Sequence, residues 1–209
     1  MKSLNSAPLS PDAFASIFNV SRETLDCLIL FADLLENWQK SLNLVGAETM
    51  KDFWRRHILD SAQLIPYVEN TGRVVTDLGT GAGFPGLVLS IILNKEVGLV
   101  ESSGKKVAFL KEAARITGAP VSIYHGRIES LVLPKSDIIV SRALAPLDKL
   151  LSLSFPHLGP DGTCLFLKGQ RFDEELTVAE KKWKMRIQSF SSITDSGGKI
   201  ILIEDIRRA

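Results

Sequence analysis

The stretch Asp77-Leu-Gly-Thr-Gly-Ala-Gly-Phe-Pro-Gly86 combines a carboxylate with closely spaced glycines. Glycine adopts positive φ at little cost and has no Cβ, so a glycine-rich turn lets backbone N–H groups approach a ligand closely. Mostly β-branched residues at 73–76 precede it, and an apolar run at 87–93 follows it. This order indicates a strand, a turn and a helix with Pro85 at its first position. We therefore predict a ligand-binding loop here, with Asp77 beside the ligand.

The spacing of the glycines separates two classes of cofactor. A dinucleotide-binding loop follows G-x-G-x-x-G, but here three glycines alternate over 79–83 and Phe84 stands where the third dinucleotide glycine belongs. The order D-x-G-x-G-x-G resembles the S-adenosylmethionine loop of class I methyltransferases. Glu101 ends the next predicted strand, 24 positions after Asp77, where a carboxylate can accept hydrogen bonds from both ribose hydroxyls. The alternative is a tight structural turn with a chance acid at each strand end.

Strands and helices alternate after residue 73, which indicates a parallel sheet. The first two strands end at Asp77 and Glu101, and the last two are joined through Ser-Gly-Gly, a hairpin signal. We predict a class I (Rossmann-like) α/β methyltransferase fold, whose seven-stranded, mostly parallel sheet has helices on both faces. The remaining strands are predicted at 121–124, 137–141, 162–168, 185–190 and 199–206, and helices at 105–117, 144–153 and 173–182.

The first 70 residues have helical patterns. Ser10 and Pro11 form a cap and first-position pair for a helix through Phe18, and Ser21 begins a longer amphipathic helix. A further helical region covers 51–64 and is predicted to end at Ile65-Pro66, because proline disfavours helix at the residue before it. We predict a helical cap, residues 1–70, packed on an S-adenosylmethionine-binding domain, residues 71–209.

Composition sets broad limits on function. The chain has 209 residues, 45% of them apolar, and a net charge of +1, so any basic surface for nucleic acid must be local. Its two cysteines suggest no disulfide framework or metal site, and no apolar run has the length of a signal peptide or membrane span. We expect a cytoplasmic monomer with no membrane association and no metal.

Two polar residues have more than one interpretation. Arg142 follows the predicted fourth strand and so points into the crevice at the strand carboxyl ends, where open α/β sheets bind ligands. There it either clamps a cofactor carboxylate or RNA phosphate or forms a structural ion pair. His57 is isolated from other catalytic residue types, and such a histidine is more often structural, so we leave it out of the catalytic set.

Several short strings in one order resemble the RsmG (GidB) family, bacterial methyltransferases that act on N7 of a guanine in the decoding region of 16S rRNA. The resemblance covers roughly 38–170, and its most specific parts are the glycine loop and Arg-His-Ile-Leu-Asp-Ser. Glu101 departs from the aspartate common in the family but keeps a bidentate acceptor. The strings are Asn43-Leu-Val, Arg56-His-Ile-Leu-Asp-Ser61, the loop 77–86, Glu101-Ser-Ser-Gly-Lys-Lys-Val-Ala-Phe-Leu110, Arg127-Ile-Glu129, Ser141-Arg-Ala143 and Leu167-Lys-Gly-Gln170.

The resemblance implies the site residues. Cofactor contacts are expected at Gly79, Phe84, Ile128, Glu129 and Arg142, with Asp77, Gly81 and Glu101 supporting them. Basic residues near the crevice or the cap are expected to contact 16S rRNA or the small ribosomal subunit: Arg55, Arg56, Lys105, Lys168 and Arg171.

The predicted reaction is therefore S-adenosylmethionine-dependent methylation of guanine N7 in 16S rRNA. It needs no general base, because N7 carries a lone pair and no hydrogen, so the catalytic set is empty apart from a positioning role for Arg142. Two alternatives stay open: a nicotinamide-dependent oxidoreductase with a Rossmann fold, and a non-catalytic RNA-binding factor for ribosome assembly.

Overall fold

The structure is a computed structural model, and it describes residues 7–68 and 74–209. The predicted boundary between cap and sheet domain at 70/71 lies outside these residues, as does Arg73 at the predicted start of the first strand. The division into two domains therefore stays a prediction.

One seven-stranded sheet organises the described chain, with strand order β3-β2-β1-β4-β5-β7-β6. Strands β1 to β5 are parallel, and β7 runs antiparallel to both β5 and β6. The strand order reverses between β1 and β4, the place where ligands bind in open α/β sheets. The strands are β1 Val75–Leu78, β2 Val97–Glu101, β3 Val121–His125, β4 Ser136–Arg142, β5 Leu158–Lys168, β6 Trp183–Ser191 and β7 Lys199–Arg208.

Helices cover both faces of the sheet and also form the N-terminal layer. A π-helix at Trp54–Leu59 and short 3₁₀ turns at Ile128–Ser130 and Phe155–His157 complete the regular structure. The α-helices are α1 Pro11–Phe18, α2 Arg22–Gln39, α3 Ala47–Met50, α4 Asp60–Ala62, α5 Ile65–Val68, α6 Gly86–Leu93, α7 Gly104–Thr117, α8 Leu147–Ser154 and α9 Phe172–Ala179.

Alternating strand residues divide the core into two layers. On β5, Leu165 and Leu167 pack in one cluster with helices α2, α6 and α7, whereas Cys164 and Phe166 pack in the other with α8 and α9. Successive side chains of a strand point to opposite faces, so a strand that is buried on both sides must be apolar throughout. This confirms the predicted α/β sheet with helices on both faces.

The N-terminal helices share a core with the sheet domain. Ser10 and Ser21 cap α1 and α2 by accepting hydrogen bonds from Ala13 N and Thr24 N, each at 3.2 Å, as the sequence predicts. Phe31 on α2 is buried against the ring of Phe84, with centroids 5.4 Å apart. The N-terminal helices therefore pack directly on the glycine loop.

Some predicted bounds were wrong. The helical region predicted at 51–64 is divided by the π-helix at Trp54–Leu59, and Pro66 lies inside the helical turn α5 rather than after its end. A proline is tolerated in the first turn because its missing N–H would have no helical partner there. Pro85 is the residue before α6, and β5 begins four residues earlier than predicted because Leu158 already pairs with Ser136.

Within residues 7–68 and 74–209, no helix is both long enough and apolar enough to cross a membrane.

Candidate functional site

The glycine loop between β1 and α6 adopts a conformation that depends on its glycines. Gly79, Gly81 and Gly83 have φ of 69°, 61° and 95°. A Cβ on Gly79 would lie 2.5 Å from the Leu144 side chain, but a Cβ on Gly81 would meet nothing closer than 4.0 Å. Gly79 therefore permits close packing of the loop after β4, whereas Gly81 leaves open space on the loop surface.

Two carboxylates hold the loop in place. Asp77 is fully buried and accepts a hydrogen bond from Gly86 N at 2.8 Å, and burial raises its pKa to about 6. Glu101 accepts from Gly81 N at 3.0 Å through Oε2 and from Ser103 N at 2.7 Å through Oε1. A carboxylate offers about four acceptor positions, so Glu101 retains capacity for two more donors such as ribose hydroxyls.

A cavity of about 1040 Å³ opens beside this loop, at the carboxyl ends of the central strands. The residues that line it come from the cap, the glycine loop, the start of α7, the loops after β4 and β5, helix α9, and the hairpin between β6 and β7. Its size suits a nucleotide-sized ligand together with part of a second one.

Arg142, at the end of β4, connects the sheet to the cap across this cavity. Its Nη1 donates to the Arg56 carbonyl oxygen at 2.9 Å and to Asp60 Oδ2 at 3.1 Å. Its Nη2 donates to His57 Nδ1 at 2.8 Å, and its guanidinium lies 5.0 Å from the centroid of the Phe84 ring. A guanidinium carries five N–H donors, and these contacts use three, so Nε and one hydrogen of Nη2 have no recorded acceptor among the described residues.

His57 is a neutral structural link in this network. Burial and the charges of Arg142 and Arg56 lower its pKa to about 3. Because Arg142 donates to Nδ1, the proton of the neutral ring is on Nε2, which donates to Thr49 Oγ1 at 2.8 Å. Thr49 in turn donates to the Gly46 carbonyl oxygen at 2.7 Å. Both ring nitrogens are engaged, so His57 has no nitrogen left to accept a substrate proton.

The π-helix gives the cap its contacts with the site. Asp60 N donates to the carbonyl of Arg55, five residues earlier, and this wider turn carries Arg56 and His57 to the cavity. Asp60 Oδ1 also accepts from Thr194 Oγ1 at 2.6 Å, which ties the β6–β7 hairpin to the same turn. Sheet end, cap and hairpin are thus held together around the cavity.

The sequence is similar to proteins of one known family. Residues 24–202 match the family model described as rRNA small subunit methyltransferase G. The chain belongs to this family. It is 46% identical over 200 residues to ribosomal RNA small subunit methyltransferase G of Paramagnetospirillum magneticum, covering 96% of this chain and 98% of that relative. It is 47% identical over 201 residues to the protein of that name from Rhodospirillum rubrum, covering 96% of this chain and all of the relative.

Solved structures of methyltransferases share the fold. A methyltransferase from Pyrococcus furiosus superposes with a TM-score of 0.58 at 17% identity, covering 86% of this chain and 96% of that chain. TYW2 of M. jannaschii, determined in complex with AdoMet, gives a TM-score of 0.55 at 17% identity, covering 72% and 76%. These likenesses confirm the predicted class I fold for this member of the methyltransferase G family.

The residues predicted to bind the cofactor fall into two groups, those that line the cavity and those that do not. Gly79, Gly81, Phe84 and Arg142 line the cavity. The other four do not line it: Asp77 and Glu101 lie beneath the loop, and Ile128 and Glu129 follow β3 beside Glu101. The Glu129 carboxylate is half-exposed and pairs with Lys149 Nζ at 3.4 Å.

The basic residues predicted to contact RNA are also divided. Arg56, Lys168 and Arg171 line the cavity. Arg55 instead is buried and bonds to Asp52 Oδ2 at 2.6 Å and to the Ala7 carbonyl at 2.9 Å, so its position gives no support to an RNA contact. Lys105 is exposed at the start of α7 but lies outside the lining.

Other cavity residues escaped the sequence reasoning. The sequence predicted Lys105 at the site, but Lys106 lines the cavity instead. Adjacent helix residues point about 100° apart, so only one of the two lysines can face it. Asp60 and Glu175 also line it, and both are carboxylates paired with predicted site residues, Arg142 and Lys168. Asp60 lies within the string Arg-His-Ile-Leu-Asp-Ser, and the family resemblance of that string was the one signal for it. No local pattern indicated Glu175.

Proposed function

We propose that this protein transfers the methyl group of S-adenosylmethionine to N7 of a guanine in the small-subunit rRNA, in the decoding region that the family resemblance implies. Membership of the methyltransferase G family confirms the enzyme class and its cofactor, S-adenosylmethionine, over the oxidoreductase and non-catalytic alternatives. The observation that carries the proposal is that the glycine loop and a basic rim line the same cavity. We further propose that the protein works as a cytoplasmic monomer.

The residues beside the cavity fit this cofactor. The open position over Gly81 accommodates a ligand where a side chain would otherwise stand, and Glu101 beneath it retains acceptors for ribose hydroxyls. The two unassigned N–H groups of Arg142 suit a carboxylate such as that of the methionine moiety. We assign Ile128 and Glu129 to the adenine end, on the Glu101 side of the loop.

When bound, the cofactor supplies an electrophilic methyl group on a sulfonium. The protein's task is then to unstack the guanine, exclude water, and hold N7 in line with that methyl at near-attack distance. N7 has a lone pair and no proton, so no residue has to remove one before attack. His57 is neutral and is hydrogen-bonded through both ring nitrogens, which agrees with a site that positions groups and does not perform base catalysis.

The basic rim supports RNA as the second ligand. Arg171 is exposed at the cavity, and no ion pair is recorded for it within the described ranges. Arg56 is partly exposed and pairs with Asp195 at 3.3 Å, a surface contact that phosphate can displace at little cost. Lys106 lines the cavity near the glycine loop. Such local charge binds the RNA backbone although the net charge is only +1.

Deletion of the gene tests the proposal. Mass spectrometry of small-subunit rRNA from the deletion strain should show the loss of one 7-methylguanosine, and a plasmid copy should restore it. A plasmid copy carrying Gly81→Val should not restore it. An unchanged set of methylated guanosines in the deletion strain would contradict the proposed substrate.

A further inference from the structure

Three carboxylates line the cavity, and in two of them each oxygen already accepts a hydrogen bond. Asp60 accepts from Gln63 Nε2 and Thr194 Oγ1 through Oδ1 and from Arg142 through Oδ2. Asp195 accepts from Gly197 N through Oδ1 and from Arg56 through Oδ2. Neither carboxylate has an oxygen without a partner.

Glu175 differs from both. Its Oε2 accepts from Leu147 N at 2.9 Å and pairs with Lys168 Nζ, whereas its Oε1 accepts no hydrogen bond from the described part of the chain. The Glu175 side chain is 20% exposed, and that of Lys168 is 7% exposed. The carboxylate is therefore fixed through one oxygen, and the other is left for a ligand in the cavity.

The surrounding contacts place Glu175 beside the methyl-transfer region. Leu144, in the loop after β4, packs directly on Gly79 of the glycine loop. Two hydrogen bonds connect Glu175 to this loop. Leu147 N, just after the loop, donates to Glu175 directly, and Lys168 Nζ, which pairs with Glu175, donates to the Ala145 carbonyl oxygen at 3.0 Å. A base lying against residues 143–146 would have the glycine loop on one side and Glu175 on another.

Guanine presents matching chemistry. Its N7 and O6 are acceptors, while N1–H and the N2 amino group on the far edge are donors. A base whose N7 points to the cofactor turns this donor edge away from it, where an acceptor is needed. Methylation at N7 makes the ring cationic, so a carboxylate on the donor edge is bound more strongly in the transition state than in the ground state.

We propose that Glu175 recognises the target guanine, its Oε1 accepting hydrogen bonds from N1–H and the N2 amino group. Adenine has an acceptor at N1 and no N2 amino group, so it would leave the carboxylate unpaired and is rejected. Lys168 and Leu147 N act as positioning groups that hold the carboxylate at the angle this contact requires. This inference rests on the proposed function and adds the residue that selects the base.

The test compares two substrates and three proteins. Each RNA fragment carries either guanosine or inosine at the target position, since inosine keeps N7 and N1–H but lacks the N2 amino group. Single-turnover methyl transfer is measured for wild type, Glu175→Gln and Glu174→Gln. Glu174 is exposed on the same helical turn and outside the cavity lining, so it is a matched control for loss of one negative charge.

Wild type should favour guanosine over inosine by roughly tenfold or more, the worth of a hydrogen bond to a charged group. In Glu175→Gln the side-chain oxygen is taken by Leu147 N, so the amide NH₂ meets the donor edge of the base. We expect methylation of guanosine RNA to fall at least tenfold and the preference for guanosine to drop below threefold. Glu174→Gln should resemble wild type in both.

Calorimetric binding of S-adenosylmethionine reports whether a variant is folded, and Glu175→Ala replaces Glu175→Gln if the latter is not. Equal preference for guanosine in wild type and the Glu175 variant would overturn this inference, as would a wild-type preference below threefold. Failure of wild type to form any 7-methylguanosine would instead overturn the proposed function, and with it this inference. The two failures are therefore distinguishable in one experiment.

Discussion

His57 offers a quantitative test of the network around Arg142. Its folded-state pKa is about 3, whereas an unfolded chain has a histidine pKa of about 6.5. At any pH between these values the unfolded state binds a proton that the folded state does not, so protonation favours unfolding. Stability linked to His57 is therefore complete above pH 6.5 and is lost progressively as the pH falls towards 3.

The perturbation is His57→Gln. Glutamine has an oxygen that can accept from Arg142 and an amide that can donate to Thr49, but it does not titrate. Its loss of ring contacts with Phe84 and Phe53, at 4.8 and 5.4 Å between centroids, should cost about 1 kcal/mol at all pH values. Between pH 7.5 and 5.5, linkage predicts that wild type loses about 1.4 kcal/mol more than the variant.

Urea unfolding followed by circular dichroism at pH 7.5 and 5.5 measures both free energies of unfolding. The other histidines, His125 and His157, are present in both proteins, so their contributions cancel in the difference. We expect the stability gap between wild type and His57→Gln to shrink or reverse at pH 5.5. An equal loss of stability in the two proteins would mean that His57 is protonated in the folded state and would refute the tautomer and the donor assignments of Arg142.

The remaining predictions concern ligands and rate. Gly81→Val should abolish S-adenosylmethionine binding in calorimetry. The control Gly118→Val should bind the cofactor normally, because Gly118 has a similar φ of 66° but lies outside the cavity, with nothing within 4 Å of an added Cβ. Equal losses of affinity in the two variants would mean that backbone strain is the cause. Glu101→Gln should weaken cofactor binding by ~1.5–3 kcal/mol, and a loss under about threefold would exclude Glu101 as ribose acceptor. Arg171→Glu should flatten the slope of log RNA affinity against log salt by about 0.7–0.9, while Arg115→Glu, on the exposed face of α7 beyond the cavity, should leave it unchanged. The single-turnover methyl-transfer rate should stay nearly flat from about pH 6 to pH 9; a log-linear rise with pH to a plateau would indicate a required base.

Local patterns were sufficient for much of the fold. Buried parallel strands are apolar throughout, and the caps at Ser10 and Ser21 depend on neighbours a few residues away, so periodicity and capping signals located them. The π-helix at Trp54–Leu59 was not foreseen, because its widened turn is stabilised by distant partners such as Arg142 rather than by its own sequence.

The same limit applies to the site. The glycine loop and Glu101 were found because adjacent parallel strands end at one edge of the sheet, which makes sequence order a guide to position. Arg55 and Arg56 are adjacent residues of the same type, yet Arg55 is buried against Asp52 and Arg56 reaches the cavity. Packing between α3, the π-helix and the sheet decides which side of the π-helix faces the site, so the local sequence does not predict which arginine lies there.

Methyl transfer in vitro tests the central claim most directly. Purified protein is incubated with tritiated-methyl S-adenosylmethionine and small-subunit rRNA from the deletion strain, and the RNA is digested to nucleosides and separated. We expect the label in 7-methylguanosine alone, at about one methyl per RNA molecule, and in no product when Gly81→Val replaces wild type. Label in N1- or N2-methylguanosine, in a 2′-O-methylated nucleoside, or in no nucleoside at all would contradict the proposed reaction.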